Sequence, residues 1–257
     1  MRAALLVLGL GMLCLGGCVL QTLPSDKTNL AQAAHIRNAI ALQYLQMGDP
    51  GKAESELNAA IKLDSHVPQI YNSLGLVYED EHDAVNADKN YRKALWMDSH
   101  NGQFNVDYGS FLFRQGRFAA ACEHFHKAAD NLDYDRRDAA FENLGLCYEQ
   151  EHDLTKAGMY FQRALALNGK LPVATIEYAN LLFDQGDTVR AARGYARFLV
   201  LIHGHAQSAR SLWLGIRLAR LRGDAVTAAS YAETLHQLYP QSPEYGLYLQ
   251  SLNAQHP

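Results

Sequence analysis

LGLVYEDEHD at residues 74–83 returns almost letter for letter as LGLCYEQEHD at residues 144–153, seventy positions along the chain. Seventy is two periods of 34 plus two. In each copy a Leu-Gly pair precedes a tyrosine, then a polar turn at His82-Asp83 or His152-Asp153, then a small alanine and an aromatic: Ala87 and Tyr91 in the first, Ala157 and Phe161 in the second. The pattern describes helix, turn, helix. Gly75 and Ala87 stand where two helices approach most closely, because a larger side chain there would force them apart. A unit of this size leaves one helix face uncovered until a neighbour stacks on it, so such units build a solenoid with a long concave surface. That architecture holds other proteins and seldom does chemistry.

The period and its residue types resemble the tetratricopeptide repeat. The expected fold class is all-α: a right-handed superhelical solenoid of about six tetratricopeptide repeats with a short C-terminal capping helix. Repeat one, 34–67, puts Ile40-Ala41 at the Leu-Gly pair and turns at Gly48-Asp49. Glycine tolerates the left-handed conformation that ends a first helix, and aspartate accepts hydrogen bonds from the free amides that open a second. Repeat two, 68–101, follows the pattern most closely, and repeat three, 102–135, carries Tyr108-Gly109, Gly116, Ala121 and Phe125. Two extra residues enter around 134–137 before repeat four, 138–171; repeat five, 172–205, turns at Gly186-Asp187. Pro68 and Pro172 suit a first helical turn. Repeat six, 209–242, is shifted by three more residues, loses its aromatics and leaves Trp213 outside the register, as a terminal unit does. Residues 243–257 read as a cap and tail, with a helix over 243–252 turning Tyr245, Leu249 and Leu252 inward.

Across 257 residues, 23 Lys and Arg face 27 Asp and Glu, a formal charge of −4. Nothing here resembles the basic footprint that neutralises phosphates, which argues against a nucleic-acid partner. Residues 1–17 read as an export signal: Arg2 supplies the charge, 3–15 the apolar run, and Leu15-Gly16-Gly17 the small-residue approach to a cut. The run is too short to span a bilayer. Cys18 follows, and LGGC resembles the lipobox of bacterial lipoproteins, whose cysteine is acylated and becomes the mature N-terminus. Lipid on Cys18 would hold the protein to a membrane without a spanning helix. Val19, not Asp, stands next, and the resemblance to enteric lipoproteins then points to the periplasmic face of the outer membrane. Residues 18–33, with Pro24 and Ser25, read as lipidated cysteine and tether.

Several clusters invite an enzymatic reading. Glu81-His82-Asp83 and Glu151-His152-Asp153 gather ligand types, but consecutive residues do not readily converge on one ion, and both lie where other repeats have a Gly-Asp turn. His124 and His126, two apart on a helix, point to different sides. No G-x-S-x-G elbow, P-loop or dinucleotide fingerprint occurs. No enzyme, metal, cofactor or small-molecule substrate is expected. Cys122 and Cys147 have two readings: a bridge between the second helix of one unit and the first helix of the next, or two small buried apolar residues. Sequence supplies no distance to choose, and the second reading is slightly favoured.

The inner wall of such an array is lined by first-helix residues. In repeat one these are His35, Asn38, Leu42 and Leu45; in repeat two, Gln69, Asn72, Leu76 and Glu79; in repeat three, Gln103, Val106, Ser110 and Phe113. Leucines mixed with amides suit a groove that takes an apolar peptide and hydrogen-bonds its backbone. Leu42, Leu45, Leu76 and Phe113 are the apolar groups expected to be exposed there, in the first three repeats.

The segment NVDYGSFLFRQGRFAAACEHFHKA at 105–128, followed after YDRR by FENLGLCYEQ at 141–150, resembles the type IV pilus biogenesis and stability lipoproteins, the PilF and PilW family. Generic repeats do not need the Asn-x-x-Tyr-Gly-x-Phe-Leu opening, the turn at Gln115-Gly116-Arg117, or the extension before Glu142-Asn143. The lipobox and six-repeat length agree. Phe113 departs from the family, since some members carry there a cysteine paired with the counterpart of Cys147. The resemblance implies a pilotin, an outer-membrane lipoprotein that helps the pilus secretin reach the outer membrane and multimerise, and so supports pilus biogenesis and twitching motility. The alternative is a lipoprotein adaptor for another envelope machine, such as outer-membrane protein insertion or peptidoglycan remodelling.

Overall fold

The structure is a computed structural model that describes residues 26–253, so the expected export signal and Cys18 lie outside the described residues. Among the described residues there are thirteen helices and no strand. The first helices of the six repeats are α1 (Asp26–Gln46), α3 (Pro68–Asp80), α5 (Gly102–Arg114), α7 (Arg137–Gln150), α9 (Pro172–Asp184) and α11 (Ala209–Leu221). Their second helices are α2 (Pro50–Leu63), α4 (Ala84–Met97), α6 (Phe118–Asp130), α8 (Leu154–Leu167), α10 (Thr188–Leu201) and α12 (Ala225–Leu238); α13 (Pro243–Asn253) closes the array. Each first helix packs on its own second helix, and α1, α3, α5, α7 and α9 also touch one another in succession. The more closely spaced row lies on the inside of a curved stack, so the first helices form the concave wall of an all-α tetratricopeptide solenoid.

The turn between paired helices is built the same way six times. An amide donates back across it, Asp83 N to Tyr78 O at 2.8 Å and Asp153 N to Tyr148 O at 2.9 Å, which is the closing bond of a Schellman end. The residue before each of those amides is left-handed. Gly48, Gly116, Gly186 and Gly223 take that place at φ between 71° and 86°, whereas His82 and His152 take it at 61° and 60°. The apparent His-Asp clusters are therefore turn positions in which histidine replaces glycine. The aspartate then caps the second helix, Asp83 Oδ1 accepting from Asn86 N and Asp153 Oδ1 from Lys156 N, both at 3.0 Å. The Asn86 amide and side chain hold the Asp83 carboxyl below its usual value, and the Lys156 side chain and amide do the same for Asp153. Repeat three has Arg117 there, and α6 begins without a side-chain cap.

Packing across each pair depends on glycine beneath an aromatic. A Cβ on Gly75 would sit 2.6 Å from the Tyr91 ring, and one on Gly145 2.4 Å from Phe161. Tyr91 and Phe161 are fully buried, as are Leu144 and Leu212, and the core runs as a chain of clusters along the stack.

The structure departs from the sequence reading at three places. The expected tether is helical from Asp26, so α1 is two turns longer than the 13-residue α3, because no glycine or proline interrupts 26–46. Among the side chains described, Ala34 is nevertheless the first that is fully buried, and core packing is seen from there. In α13 Leu249 is exposed; Tyr248, with Tyr245, packs on the cluster around Leu212 and Ile216. Cys122 and Cys147 are bonded, against the slightly favoured reading as free apolar residues. The second helix of repeat three lies beside the first helix of repeat four, which brings their Cα atoms to 5.8 Å, within bridging range.

Candidate protein-binding groove

The inner wall is tied together by rungs between adjacent first helices. Asn72 on α3 donates to Asp107 Oδ2 on α5 at 2.7 Å, and Gln103 donates to the other oxygen at 2.7 Å. Burial raises the Asp107 carboxyl above its ordinary value, against those two donors. Two turns further along, Arg114 on α5 pairs with Glu79 on α3, whose second oxygen accepts from the Tyr91 hydroxyl at 2.9 Å. The Glu79–Arg114 pair is anchored from the core and so has a fixed place on the wall.

This pair forms one side of a concavity of about 670 Å³ between the C-terminal ends of α1, α3 and α5. Its apolar lining comes from Leu45, Leu76 and Phe111; Asp80, His82 and Gln115 supply polar groups. A smaller cavity of about 120 Å³ continues along the wall, lined by Ser110, Phe113, Phe125, Asn143 and Leu146, and shares Arg114 with the first. The larger can take several side chains and the smaller one. Apolar floors flanked by amides and one fixed ion pair suit a polypeptide segment laid across the first helices.

In repeats four to six the wall is filled by its own side chains. Arg210 on α11 reaches back to Glu149 on α7, and its Nε lies 2.8 Å from Glu177 Oε2 on α9. That second contact is out of line for a hydrogen bond and leaves Glu177 Oε2 without one. Burial, helped by Glu149 and opposed by Arg210, pushes the Glu177 carboxyl up to about 7. Burial works against the Arg210 charge, but Glu177 and Glu149 outweigh it and raise its pKa. Arg217 pairs with Asp184 at 2.6 Å and lies over the Phe183 ring at 4.3 Å. The open apolar part of the wall thus belongs to repeats one to three, its smaller cavity reaching Asn143 and Leu146 at the edge of repeat four.

Of the residues expected on the wall, Leu45, Leu76 and Glu79 come together in the larger cavity and Phe113 lines the smaller, with its ring 5.1 Å from Phe118. His35 is exposed, and Leu42 and Gln69 are half-buried outside both cavities. Asn38 and Asn72 are only 9% and 6% exposed: they lie between helices and do not present free amides to a ligand. Val106 packs against the core. Phe111 and Arg114 were missed. A spacing of 35 links Glu79 to Arg114 as it links Asn72 to Asp107, one period plus one, and could have signalled both rungs.

The histidines of α6 are structural partners. His124 shares a 2.9 Å hydrogen bond with Asn105, and burial pushes its pKa down to about 4; His126 shares one of 2.9 Å with the Tyr148 hydroxyl. Among the described residues no three His, Cys, Asp or Glu side chains are grouped to hold a metal ion.

Tetratricopeptide-repeat families match residues 34–66 and 112–172. The chain is similar to the type IV pilus assembly protein PilF of Pseudomonas aeruginosa, with 38% identity over 250 residues, 95% of this chain and 96% of that protein. An uncharacterised Haemophilus influenzae protein is 30% identical over 130 residues, 51% of this chain and 72% of that one. Among solved structures, P. aeruginosa PilF superposes with a TM-score of 0.81 at 36% identity, covering 87% of this chain and 99% of its own. PilW, described as a widely conserved type IV pilus biogenesis factor, gives 0.71 at 25% identity, covering 85% and 99%.

Proposed function

This chain belongs to the family of the type IV pilus assembly protein PilF, and from that membership we propose that it is a pilotin, a lipoprotein that binds the type IV pilus secretin and promotes its assembly into a multimer. Membership supports a role in type IV pilus biogenesis; the client, the membrane and the grip are our reading. The observation that carries it is the near end-to-end extent of the likeness to PilF, well beyond the packing positions that any two repeat arrays share. In this reading lipid on Cys18 supplies the address, the periplasmic face of the outer membrane, and the cavity around Leu45, Leu76 and Phe111 supplies the grip. Rungs that fix the wall before binding lower the entropic cost of capture. Holding subunits at one surface raises their effective concentration and favours ring formation without a covalent step.

The test is the heat-resistant secretin multimer in membranes of cells with and without this gene, together with Cys18→Ala and Leu45→Asp/Leu76→Asp versions. Multimers should vanish in the deletion and in the cavity variant, and Cys18→Ala should separate targeting from assembly. Intact multimers and surface pili in the deletion strain would sink the proposal and send the search for a client to other envelope machines.

A further inference from the structure

The outer face carries a feature that secretin capture at the inner wall does not use. In α4, α8 and α10 together there are eight Lys and Arg and a single Asp, in a chain whose overall charge is −4. Two of these cations are neutralised from the turns, Lys156 by Asp153 and Arg190 by Asp187. The remaining surplus borders grooves. Between α4, α5 and α6 lies an open groove of about 440 Å³ floored by Leu95, Leu112 and Ala120. Arg92 stands on its α4 side, with Arg117 and Lys127 on its α6 side. Asp88 is the one carboxylate that meets these cations, and it is shared: Arg92 Nε at 2.8 Å, Arg117 Nη1 at 3.2 Å and the Tyr108 hydroxyl at 2.8 Å all turn to it. Lys127 has no ion-pair partner among the described residues.

At the rim stands Trp96, 78% exposed, with the Lys93 ammonium 4.4 Å from its ring centre. Scattered exposed apolar residues are ordinary, but a tryptophan beside a cationic groove with an apolar floor has the makings of a binding anchor. The same place two repeats later holds a groove of about 370 Å³, with Leu165 and Leu182 below and Arg190, Arg193 and Arg197 along α10. Cations on two opposite sides of an apolar floor can embrace a chain lying between them. A flat lipid surface would meet the rim and leave the floor empty.

We propose that the outer groove between α4, α5 and α6 is a second polypeptide-binding site, one that takes an acidic segment with an apolar side chain. The apolar side chain packs against Trp96 and Leu95. Carboxylates of the segment meet Arg117 and Lys127, while Arg92 stays with Asp88 and Tyr108.

A phage-displayed library of random peptides of helical length, selected on the full chain and counter-selected on Arg117→Glu/Lys127→Glu, tests this. Enriched sequences should group Asp or Glu around Leu, Phe or Trp. A synthetic peptide of the enriched sequence should shift Trp96 fluorescence in a Trp213→Phe background. Its Kd should rise about tenfold or more in Trp96→Ala and in Arg117→Glu, rise with salt, and stay unchanged in the inner-wall variant Leu45→Asp/Leu76→Asp. Circular dichroism of each variant separates lost binding from lost folding. The proposal is overturned by selection without acidic enrichment, by equal binding to the charge-reversed variant, or by a Trp96 response to phosphatidylglycerol vesicles and not to the peptide.

Discussion

Glu177 offers a quantitative test of the inner wall, because its carboxyl is forced to share a dry site with Arg210 and Glu149. Burial pushes its pKa up to about 7, against 4.5 for an ordinary glutamate. A carboxyl raised in the folded state binds a proton there that the unfolded chain has already released. Its stabilising contribution is therefore complete below about pH 4.5 and is lost as pH rises through about 7. Each pKa unit is worth about 1.4 kcal/mol, so this group alone should lower stability by about 3 kcal/mol across the interval. Glu177→Gln keeps the shape and cannot ionise. Near the acid end the variant should be about as stable as the parent; above neutrality it should be the more stable of the two, with Arg210 still paired to Glu149. The assay is urea unfolding of both proteins over a pH series, with the Glu177 side-chain carbon followed by NMR. Identical pH slopes in parent and variant, or a Glu177 carbon titrating in the ordinary carboxylate range, would refute the argument.

Four further outcomes follow from named contacts. Gly145→Ala places a methyl against the fully buried Phe161 ring and should lower stability by about 1–3 kcal/mol, read from the urea midpoint. His152→Gly should raise stability by about 0.5 kcal/mol, since relief of a left-handed non-glycine residue outweighs the added chain entropy; a loss would mean that His152 has another role. Reduction of Cys122–Cys147, which are 25 positions apart, should cost about 3 kcal/mol, and Cys122→Ala/Cys147→Ala should abolish the response to reductant. Glu142→Gln weakens the acceptor that its Oε2 gives Ala174 N at 2.7 Å, and hydrogen exchange at the start of α9 should quicken; unchanged exchange would mean that α9 needs no support from α7.

The fold was legible because its signals are local and recur. Leu74-Gly75 with Tyr91 and Leu144-Gly145 with Phe161 are the same contact written twice, and a glycine beneath an aromatic can be read without coordinates. Gly-Asp turns were legible for a similar reason, since left-handed backbone and an amide acceptor are required together. The disulfide was not. Its formation depends on how closely α6 and α7 approach, and neither Cys122 nor Cys147 carries that distance. The start of α1 is not legible from Pro24 and Ser25, which mark only their own positions, whereas a run without breakers extends a helix until something stops it.

The groove was legible only in part, and the reason lies in the curvature of the stack. A list of first-helix positions treats each repeat as an independent wall, yet adjacent repeats are displaced by about one residue, so a side chain's neighbour lies 35 positions away. That displacement sets Asn72 against Asp107, removing an amide from the wall, and sets Arg114 against Glu79, adding an ion pair to it. It also decides where the wall is open. After the three inserted residues, Arg210 and Arg217 of α11 reach α7 and α9 and fill the wall there with paired charge. Among the described residues, repeats one to three have no such arginine spanning three helices, and Leu45 and Leu76 stay part-exposed above the buried Phe111. The apolar opening near the N-terminal end and the ion-paired wall near the other give the solenoid a direction that six similar repeats would lack.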